Sequence, residues 1–400
     1  MKITLFDLKH SGHHIEFIRH IVRYCKKKGD QITFITWNES DQLNRLPAQD
    51  RNFQIEYVNR KNQEGISGGF LKRNIQYLKG LNFCLDFAES WGSDTIHFMY
   101  LDRVEIPLFF ILMVRGSKVD SNVFANMISP YFWEQNKGSF SLRGVYHKLN
   151  ELALRKSLLI GLIKKLFVLS KKTRKLMMER WPNLDREKIV SVPDPIVPFA
   201  GEISQKRARN NLDLPQDGKV LLYFGGLRKV KGVEVLLKAF ALLNTEKNLY
   251  LVIAGDGSPK EKGKVKSWKE GLNNPANLIT RLQFIPDKDI ENYFVSSDVV
   301  ILPYRKDYTG TSGILQNAAA AGRPVIASHV GQIGSIIDDW GLGVTVEPEE
   351  PERLAKKIKI FLEDEDKKTK IKKITSRYTK KHHWTNMASI IRTSYGEVKS

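Results

Sequence analysis

The sequence predicts an α/β protein with two doubly wound domains, each built on a parallel sheet. Residues 2–36 read as strand, turn, helix, turn and strand, which is the unit that builds parallel sheets. The same alternation begins again near residue 220. Between the two halves, residues 192–198 contain three prolines, and this density favours an extended connector over a helix or a central strand.

The first half alternates short apolar strands with amphipathic segments. Residues 2–8 are a predicted strand, and apolar residues at helical spacing predict a helix over 15–28 that Gly29 ends. Residues 31–36 are the next predicted strand. Further strands are predicted at 95–98, 122–127 and 166–170.

The second half repeats this theme with clearer boundaries. A strand is predicted at 220–225, a helix at 232–243 and a strand at 249–254. Shorter buried strands are predicted at 282–285, 299–302 and 324–328. The predicted organisation is a first domain at 1–192, a linker at 193–199, a second domain at 200–378, and a C-terminal helix at 379–400 that packs back on the body.

Composition and charge narrow the class of protein. With 42% hydrophobic and 27% charged residues, the chain is typical of a globular protein and unlike collagen, coiled coil or disorder. The net charge of +20 favours anionic partners. Two cysteines, Cys25 and Cys84, make no disulfide framework, and no apolar run approaches the ~20 residues of a membrane span. We therefore expect a cytoplasmic protein whose membrane contact, if any, is peripheral.

The strongest chemical signal follows the predicted strand at 220–225. Gly225 and Gly226 allow the backbone to approach a ligand closely, and Arg228 and Lys231 come just before a predicted helix. Cations beside the free N–H groups of a helix N-terminus form a site suited to phosphate. A solvated basic loop is the alternative for this segment taken alone.

The wider pattern resembles glycosyltransferase family 4, the group 1 glycosyltransferases. Residues 224–240, FGGLRKVKGVEVLLKAF, resemble the opening of that family's C-terminal domain, with its G-x-x-R-x-x-K-G motif followed by L-L-x-A-F. Residues 251–257 and 284–304 resemble its following strands and turns. Residues 310–328 resemble its donor-binding turn, helix and strand, so that the likeness covers about 220–350 in order and spacing.

The resemblance implies the GT-B fold, in which two Rossmann-like domains face a cleft. It also implies a nucleotide-sugar substrate held mainly by the C-terminal domain, with no cofactor and no metal. Arg228 and Lys231 are expected to offset charge on the leaving diphosphate. The donor-binding residues that the resemblance implies are Gly12, Gly226, Gly255, Ile285, Gly310, Ser312, Gly313, Ile314 and Asn317.

The sequence departs from the family at two catalytic positions. Two glutamates normally stand eight positions apart, and here Thr309 and Asn317 replace them. Thr309 can hydrogen-bond a sugar hydroxyl and Asn317 the ribose, so donor binding is still expected. Stabilisation of an oxocarbenium-like charge by a carboxylate at that position is lost.

The first half resembles the family less closely. The family often places a histidine at the end of a later strand, and residues 123–130 contain none. Asn126 or Ser129 could take a polar role there, or His97 or His14 could substitute, and we include His97 with Arg228, Lys231 and Thr309 among the expected catalytic residues. His10, His13 and His14 stand at a spacing that is poor for a single metal.

Residues 143–188 hold thirteen lysines and arginines against four acidic residues, interleaved with leucines. Such a stretch can sit on an anionic membrane surface, on the inner face of the membrane for a cytoplasmic protein, or it can be a core-packed helix with a solvated face. Nucleic acid is not expected, because aromatic residues are not interleaved with the basic cluster.

The function predicted from these observations is transfer of a sugar from a nucleotide-sugar donor to a saccharide or lipid-linked acceptor, with retention and without a metal. The absent glutamates and histidine keep open a non-catalytic GT-B protein that binds sugar-nucleotides or glycans, or that serves as a partner subunit. A nucleotide-sugar isomerase and a binder of anionic polymers are further alternatives.

Overall fold

The computed structural model describes residues 1–8, 13–59, 70–102, 104–115, 120–128, 142–199, 201, 203–243, 248–308 and 310–398. The chain divides into two compact units. The first comprises Met1–Pro195 together with Trp384–Ser400, and the second comprises Ile196–His383. The chain thus passes from one unit to the other inside the proline-rich segment, where residues 192–199 are extended and Ile196 forms a single bridge to His383.

The first unit is built on a parallel sheet. Its strands are β1 (Lys2–Phe6), β2 (Gln31–Thr36), β3 (Phe53–Tyr57), β4 (Thr95–Phe98), β5 (Asn122–Met127), β6 (Lys165–Val168) and β7 (Ile189–Ser191). Within the described residues the strands lie in the order β3-β2-β1-β4-β5-β6-β7 and all pair in parallel. The order reverses between β1 and β4, which makes this a doubly wound sheet.

Helices cover both faces of the first sheet because successive strand side chains point to opposite sides. One face carries α2 (Phe70–Trp91), α3 (Glu105–Arg115), α4 (Leu142–Leu159) and α5 (Lys171–Arg180), whose inner side chains share one core. The other face carries α1 (His13–Lys27) and the C-terminal helix α14 (Trp384–Glu397). Met387 and Ile391 of α14 are fully buried there, so the last helix completes the core of the first unit.

The second unit repeats this architecture. Its strands are β8 (Lys219–Phe224), β9 (Leu249–Ala254), β10 (Leu278–Arg281), β11 (Val299–Leu302), β12 (Val325–Ser328) and β13 (Gly343–Val346). Within the described residues they lie in the order β10-β9-β8-β11-β12-β13, all parallel. The expectation of two Rossmann-like parallel-sheet domains is confirmed.

The helices of the second unit also divide between two faces. They are α6 (Gln205–Asn211), α7 (Val233–Leu243), α8 (Pro259–Glu270), α9 (Asp287–Ser296), α10 (Gly313–Ala320), α11 (Gly331–Trp340), α12 (Pro351–Glu363) and α13 (Glu365–Lys381). Helices α7, α8 and α12 pack on one face of the sheet and α9, α10 and α11 on the other, while α13 contributes Ile371 to the first core and Tyr378 to the second. Local sequence sets some helix starts: Ser258 accepts a hydrogen bond from the N–H of Glu261, and Pro259 begins α8.

One predicted strand is wrong. Residues 282–285 were expected to form a buried strand, but β10 is Leu278–Arg281, which pairs with β9. Phe284 is 71% exposed, Leu282 is partly buried and Ile285 is buried. The apolar residues before Pro286 have the composition of a strand. The earlier segment, Leu278–Arg281, forms the strand instead because it is the one that pairs with β9.

Among the residues that the structure describes, no helix combines the length and the apolar character needed to span a bilayer.

Candidate functional site

The strand order of the second unit places two loops side by side. β8 and β11 are neighbours in the sheet, but the chain leaves β8 toward β9 and leaves β11 toward β12. In open parallel sheets, ligands bind beyond the carboxyl ends of the strands at such a reversal. The loop after β8 carries Arg228 and Lys231, and the loop after β11 begins with Pro303 and Tyr304 and leads to α10.

Glycines allow these loops to approach one another. A Cβ atom on Gly225 would lie 3.5 Å from Cδ1 of Ile314, so the loop after β8 touches the first turn of α10. Gly255, in the loop after β9, has φ of +144°, and a Cβ atom there would lie 2.0 Å from the carbonyl oxygen of Gly225. A Cβ atom on Gly232 would likewise lie 1.8 Å from the carbonyl oxygen of Pro303. The structure therefore brings the β8 loop, the β9 loop and the N-terminus of α10 together.

The ammonium group of Lys231 lies against two tyrosine rings. Its Nζ atom is 3.8 Å from the ring centroid of Tyr304 and 4.3 Å from that of Tyr308. The hydroxyl of Tyr304 lies 3.0 Å from Oγ of Ser312, and the hydroxyl of Tyr308 donates to the carbonyl of Thr311. The two rings therefore connect the side chain of Lys231 to the residues that precede α10.

Arg228 and Lys231 have no counter-charge among the described residues. No described carboxylate lies within 4.0 Å of Arg228 or Lys231, whereas Arg209 of the same unit pairs with Asp298 at 2.9 Å. Burial, together with the positive charge of Arg228, lowers the pKa of Lys231 from its ordinary value to about 7. Arg228 is exposed. A pair of neighbouring cations without an internal partner favours an anionic ligand.

The first turn of α10 adds hydrogen-bond donors. Ser312 precedes the helix, but its hydroxyl contacts Tyr304 instead of capping the helix. Within the described residues, no acceptor lies within hydrogen-bond distance of the N–H groups of Gly313 or Ile314. Free N–H groups at a helix N-terminus attract negative charge. These donors lie at the same edge of the sheet as the two cations.

The other residues predicted to bind the donor are placed less uniformly. Gly226 is exposed in the β8 loop, Gly310 lies against the hydroxyl of Tyr308, and Asn317 is half-buried on α10. The side chain of Ile285 is buried in the core, so a ligand could reach only its backbone. Thr309 and Gly12 lie outside the described residues.

His97 occupies an interior position. Its imidazole has no exposed surface, Nδ1 lies 2.5 Å from the Tyr395 hydroxyl, and Nε2 lies 2.9 Å from Oδ1 of Asn126. Burial lowers the pKa of His97 to about 3, so the ring is neutral. His97 and Asn126 thus link β4, β5 and α14 in the interior, and the catalytic role expected for His97 and the polar role left open for Asn126 stay predictions.

His14 is the better placed of the two alternative histidines. Its Nδ1 atom lies 2.7 Å from Oδ2 of Asp7, a buried carboxylate directly after β1, and its ring lies 4.1 Å from that of Tyr100, which follows β4. β1 and β4 flank the reversal of the first sheet. His14 therefore lies at the edge where doubly wound sheets bind ligands. His10 and Ser129 lie outside the described residues, as does the side chain of His13.

The sequence of the second unit matches a known family model. Residues 204–378 match the model described as "Glycosyl transferases group 1". The match lies within the second unit of the chain.

Two named bacterial enzymes are among the relatives of the chain. It is 26% identical over 219 residues to the D-inositol 3-phosphate glycosyltransferase of Streptomyces coelicolor, covering 52% of this chain and 47% of that protein. It is 29% identical over 191 residues to the lipopolysaccharide 1,2-N-acetylglucosaminetransferase of Salmonella typhimurium, covering 46% and 50%. The chain thus spans about half the length of the curated relatives it matches.

Solved structures resemble the chain over its whole length. A glycosyltransferase from Rickettsia africae superimposes with a TM-score of 0.76 at 16% identity, covering 99% of this chain and 98% of that one. Anabaena HepE in complex with UDP superimposes with a TM-score of 0.74 at 14% identity, covering 100% of both chains. At this identity the likeness concerns the fold, and the expected GT-B fold is confirmed.

Several residues of the candidate site were not predicted from the sequence. Tyr304 and Tyr308 surround Lys231, Asp7 holds His14, and Phe284 projects from the loop after β10. An aromatic residue directly after a buried strand was the available signal for Tyr304. Nothing in the sequence indicates which cation it contacts.

Among the described residues of the chain, no group of three or more histidine, cysteine or acidic side chains could hold a metal ion.

Proposed function

We propose that this protein transfers a sugar from a nucleotide-sugar to a saccharide or lipid-linked acceptor. The observation that carries the proposal is the pair Arg228 and Lys231, which have no counter-charge among the described residues and lie beside the free N–H groups of α10. A diphosphate supplies the missing negative charge. The complexes of HepE with UDP and with UDP-glucose support a donor of this class.

In this reaction the bond between the sugar carbon and the diphosphate oxygen breaks, and a bond to an acceptor oxygen forms. The diphosphate leaves with the electron pair, and the proton that the acceptor hydroxyl loses passes to the departing diphosphate oxygen. Arg228, Lys231 and the N–H groups of Gly313 and Ile314 stabilise the charge that grows on the leaving oxygen. Retention of configuration and independence of a metal remain part of the proposal, on the family resemblance alone.

The acceptor group is proposed to meet the first unit near His14. The contact between His14 and the buried Asp7 carboxylate holds the imidazole in one orientation, as in other sites where a carboxylate positions a histidine. The names of the Streptomyces and Salmonella relatives support a hydroxylated acceptor, since one names D-inositol 3-phosphate and the other lipopolysaccharide.

The decisive experiment compares three alanine variants of one loop. Arg228→Ala and Lys231→Ala are expected to lower transfer at least about tenfold, because each removes a charge from the diphosphate site. Lys229→Ala is the matched control, since Lys229 is exposed in the same turn. Wild-type turnover in both variants, with the fold intact by circular dichroism, would contradict the assignment.

Binding can be tested separately from turnover. In a thermal-shift screen, a nucleoside diphosphate at one hundred times its Kd stabilises the protein by about 2.7 kcal/mol. At the same nucleoside diphosphate concentration, we expect this stabilisation for the wild type and the Lys229→Ala variant, and a smaller stabilisation for Arg228→Ala.

A second candidate is a non-catalytic GT-B protein that binds sugar-nucleotides. Thr309 and Asn317 stand where the family has glutamates, and the buried position of His97 favours this alternative further. It predicts a normal thermal shift with the nucleotide-sugar but neither transfer nor hydrolysis of the donor by the purified protein.

Location at a membrane also belongs to the proposal. The basic segment at 143–188 is proposed to contact an anionic membrane surface from the cytoplasmic side, where a lipid-linked acceptor would be found.

A further inference from the structure

The outer faces of two helices in the first unit are apolar. On α3 the exposed large side chains stand at positions i, i+3 and i+4, and on α4 at i, i+4 and i+7, so each set forms one stripe along its helix. They are Phe110, Met113 and Val114 of α3 and Val145, Leu149 and Leu152 of α4, each between 50 and 83% exposed. A surface helix normally carries polar residues on this side.

The two stripes face the same way. α3 buries Leu108 and Leu112, and α4 buries Leu154 and Leu158, in one shared core against the same face of the sheet. The helices also pack against each other. Their outer sides therefore form neighbouring strips of one surface, which we call the α3–α4 face.

The charge of this face has one sign. Lys148 and Lys156 are exposed between the leucines of α4 and have no ion-pair partner among the described residues. The acidic residues of the two helices do not offset them: Glu105 is buried, and Glu151 pairs with Arg180 at 2.8 Å. A surface that combines apolar side chains with uncompensated lysines complements an anionic bilayer.

Several cations of the basic segment at 143–188 contact other parts of the protein. Arg174 donates to the carbonyls of Ile189 and Arg186, and Lys188 donates to the carbonyl of Leu158. Lys165 pairs with Glu397. These cations already have partners within the protein. The number of lysines and arginines in the segment is therefore larger than the number available to contact a membrane.

We propose that the α3–α4 face docks on an anionic lipid bilayer, with Phe110, Leu149 and Leu152 entering the interfacial region and Lys148 and Lys156 meeting the headgroups. The proposal deepens the membrane part of the proposed function and does not depend on glycosyl transfer. It places the docking surface partly on α3, which lies outside the basic segment.

The test is co-sedimentation of the full chain with vesicles of phosphatidylcholine, with and without phosphatidylglycerol. The wild type is expected to sediment with the anionic vesicles only, and less so as salt rises. Leu149→Ser with Leu152→Ser is expected to weaken binding about tenfold or more, since two apolar side chains no longer leave water. Lys148→Glu with Lys156→Glu is expected to abolish the preference for anionic vesicles.

Leu242→Ser with Ile360→Ser is the matched control, because both residues are about as exposed on helices of the second unit. This variant should bind vesicles as the wild type does, and thermal unfolding should show that all variants are folded. Three results would overturn the proposal: a wild type that stays in the supernatant, equal loss in the control, or a wild-type dimer by light scattering that the leucine variant converts to monomer. Vesicle binding needs no donor, so failure of glycosyl transfer would leave this result unaffected.

Discussion

Lys231 shows how the surroundings of one residue set the chemistry of a site. Burial and a neighbouring arginine weaken its hold on a proton, while the two tyrosine rings contact its ammonium group. The free site is therefore only partly charged near neutral pH. An arriving diphosphate favours the charged form, so donor binding and protonation are linked.

This linkage predicts a pH dependence. Below about pH 7 Lys231 is charged before the donor arrives, whereas above it binding must take up a proton. Affinity for a nucleotide-sugar, measured by calorimetry, should fall about tenfold between about pH 6 and pH 8. Lys231→Arg should remove this dependence, because arginine stays charged. The same slope in that variant would show that another group is titrating.

The two histidines of the first unit predict opposite phenotypes. His97→Ala removes a buried side chain that contacts Tyr395 and Asn126, so it should lower the free energy of unfolding by about 2 kcal/mol or more. His14→Ala should leave stability nearly unchanged and reduce transfer, because His14 is partly exposed at the edge of the sheet. Denaturant unfolding and the transfer assay on the same preparations separate the two. A stable but inactive His97→Ala protein would restore the catalytic role.

The proposed phosphate site depends on how closely neighbouring loops approach. Backbone meets backbone where Gly255 faces the carbonyl of Gly225, and no side chain fits between them. A local distortion in the β9 loop is therefore transmitted to the β8 loop that carries the cations.

Gly255→Ala should displace the β8 loop, because its Cβ atom would lie 2.0 Å from a carbonyl oxygen and its φ of +144° disfavours alanine. We expect at least about a tenfold loss of donor affinity by calorimetry. Gly263→Ala is the control: Gly263 lies in α8 with no atom within 4 Å of a new Cβ. That change should raise stability by up to about 1 kcal/mol and leave binding intact.

The two units do not simply follow one another along the chain, because the last helix, α14, belongs to the first unit. α14 contributes Met387, Ile391 and Tyr395 to the core beneath α1. Arg392 contacts both oxygens of Asp30, at 2.6 and 3.0 Å, and Asp30 is 1% exposed. The first unit therefore needs the C-terminal segment for its stability.

Arg392→Met should lower the free energy of unfolding by about 2 kcal/mol or more, because it leaves a buried carboxylate short of positive charge. The double variant with Asp30→Asn should recover part of the loss. Arg353→Met is the control, since that arginine is exposed and, among the described residues, pairs only with Glu350; it should cost less than about 1 kcal/mol. Urea unfolding followed by circular dichroism measures all three.

The sequence alone determined the two parallel-sheet domains, and it predicted the proline-rich connector and the loop with Arg228 and Lys231. Each of these is written in a local pattern: the period of apolar residues, a run of prolines, or glycines and cations after a strand. The resemblance to group 1 glycosyltransferases also rests on motifs that are continuous along the chain.

Only the tertiary structure decided which polar groups have partners. Tyr304 and Tyr308 surround Lys231, His97 lies buried against Tyr395, and α3 joins α4 in one apolar face. The predicted strand at 282–285 was wrong because of a tertiary contact as well: the segment that pairs with β9 is the preceding one, Leu278–Arg281. Burial and pairing depend on distances between residues far apart in the chain, and no local pattern records those distances.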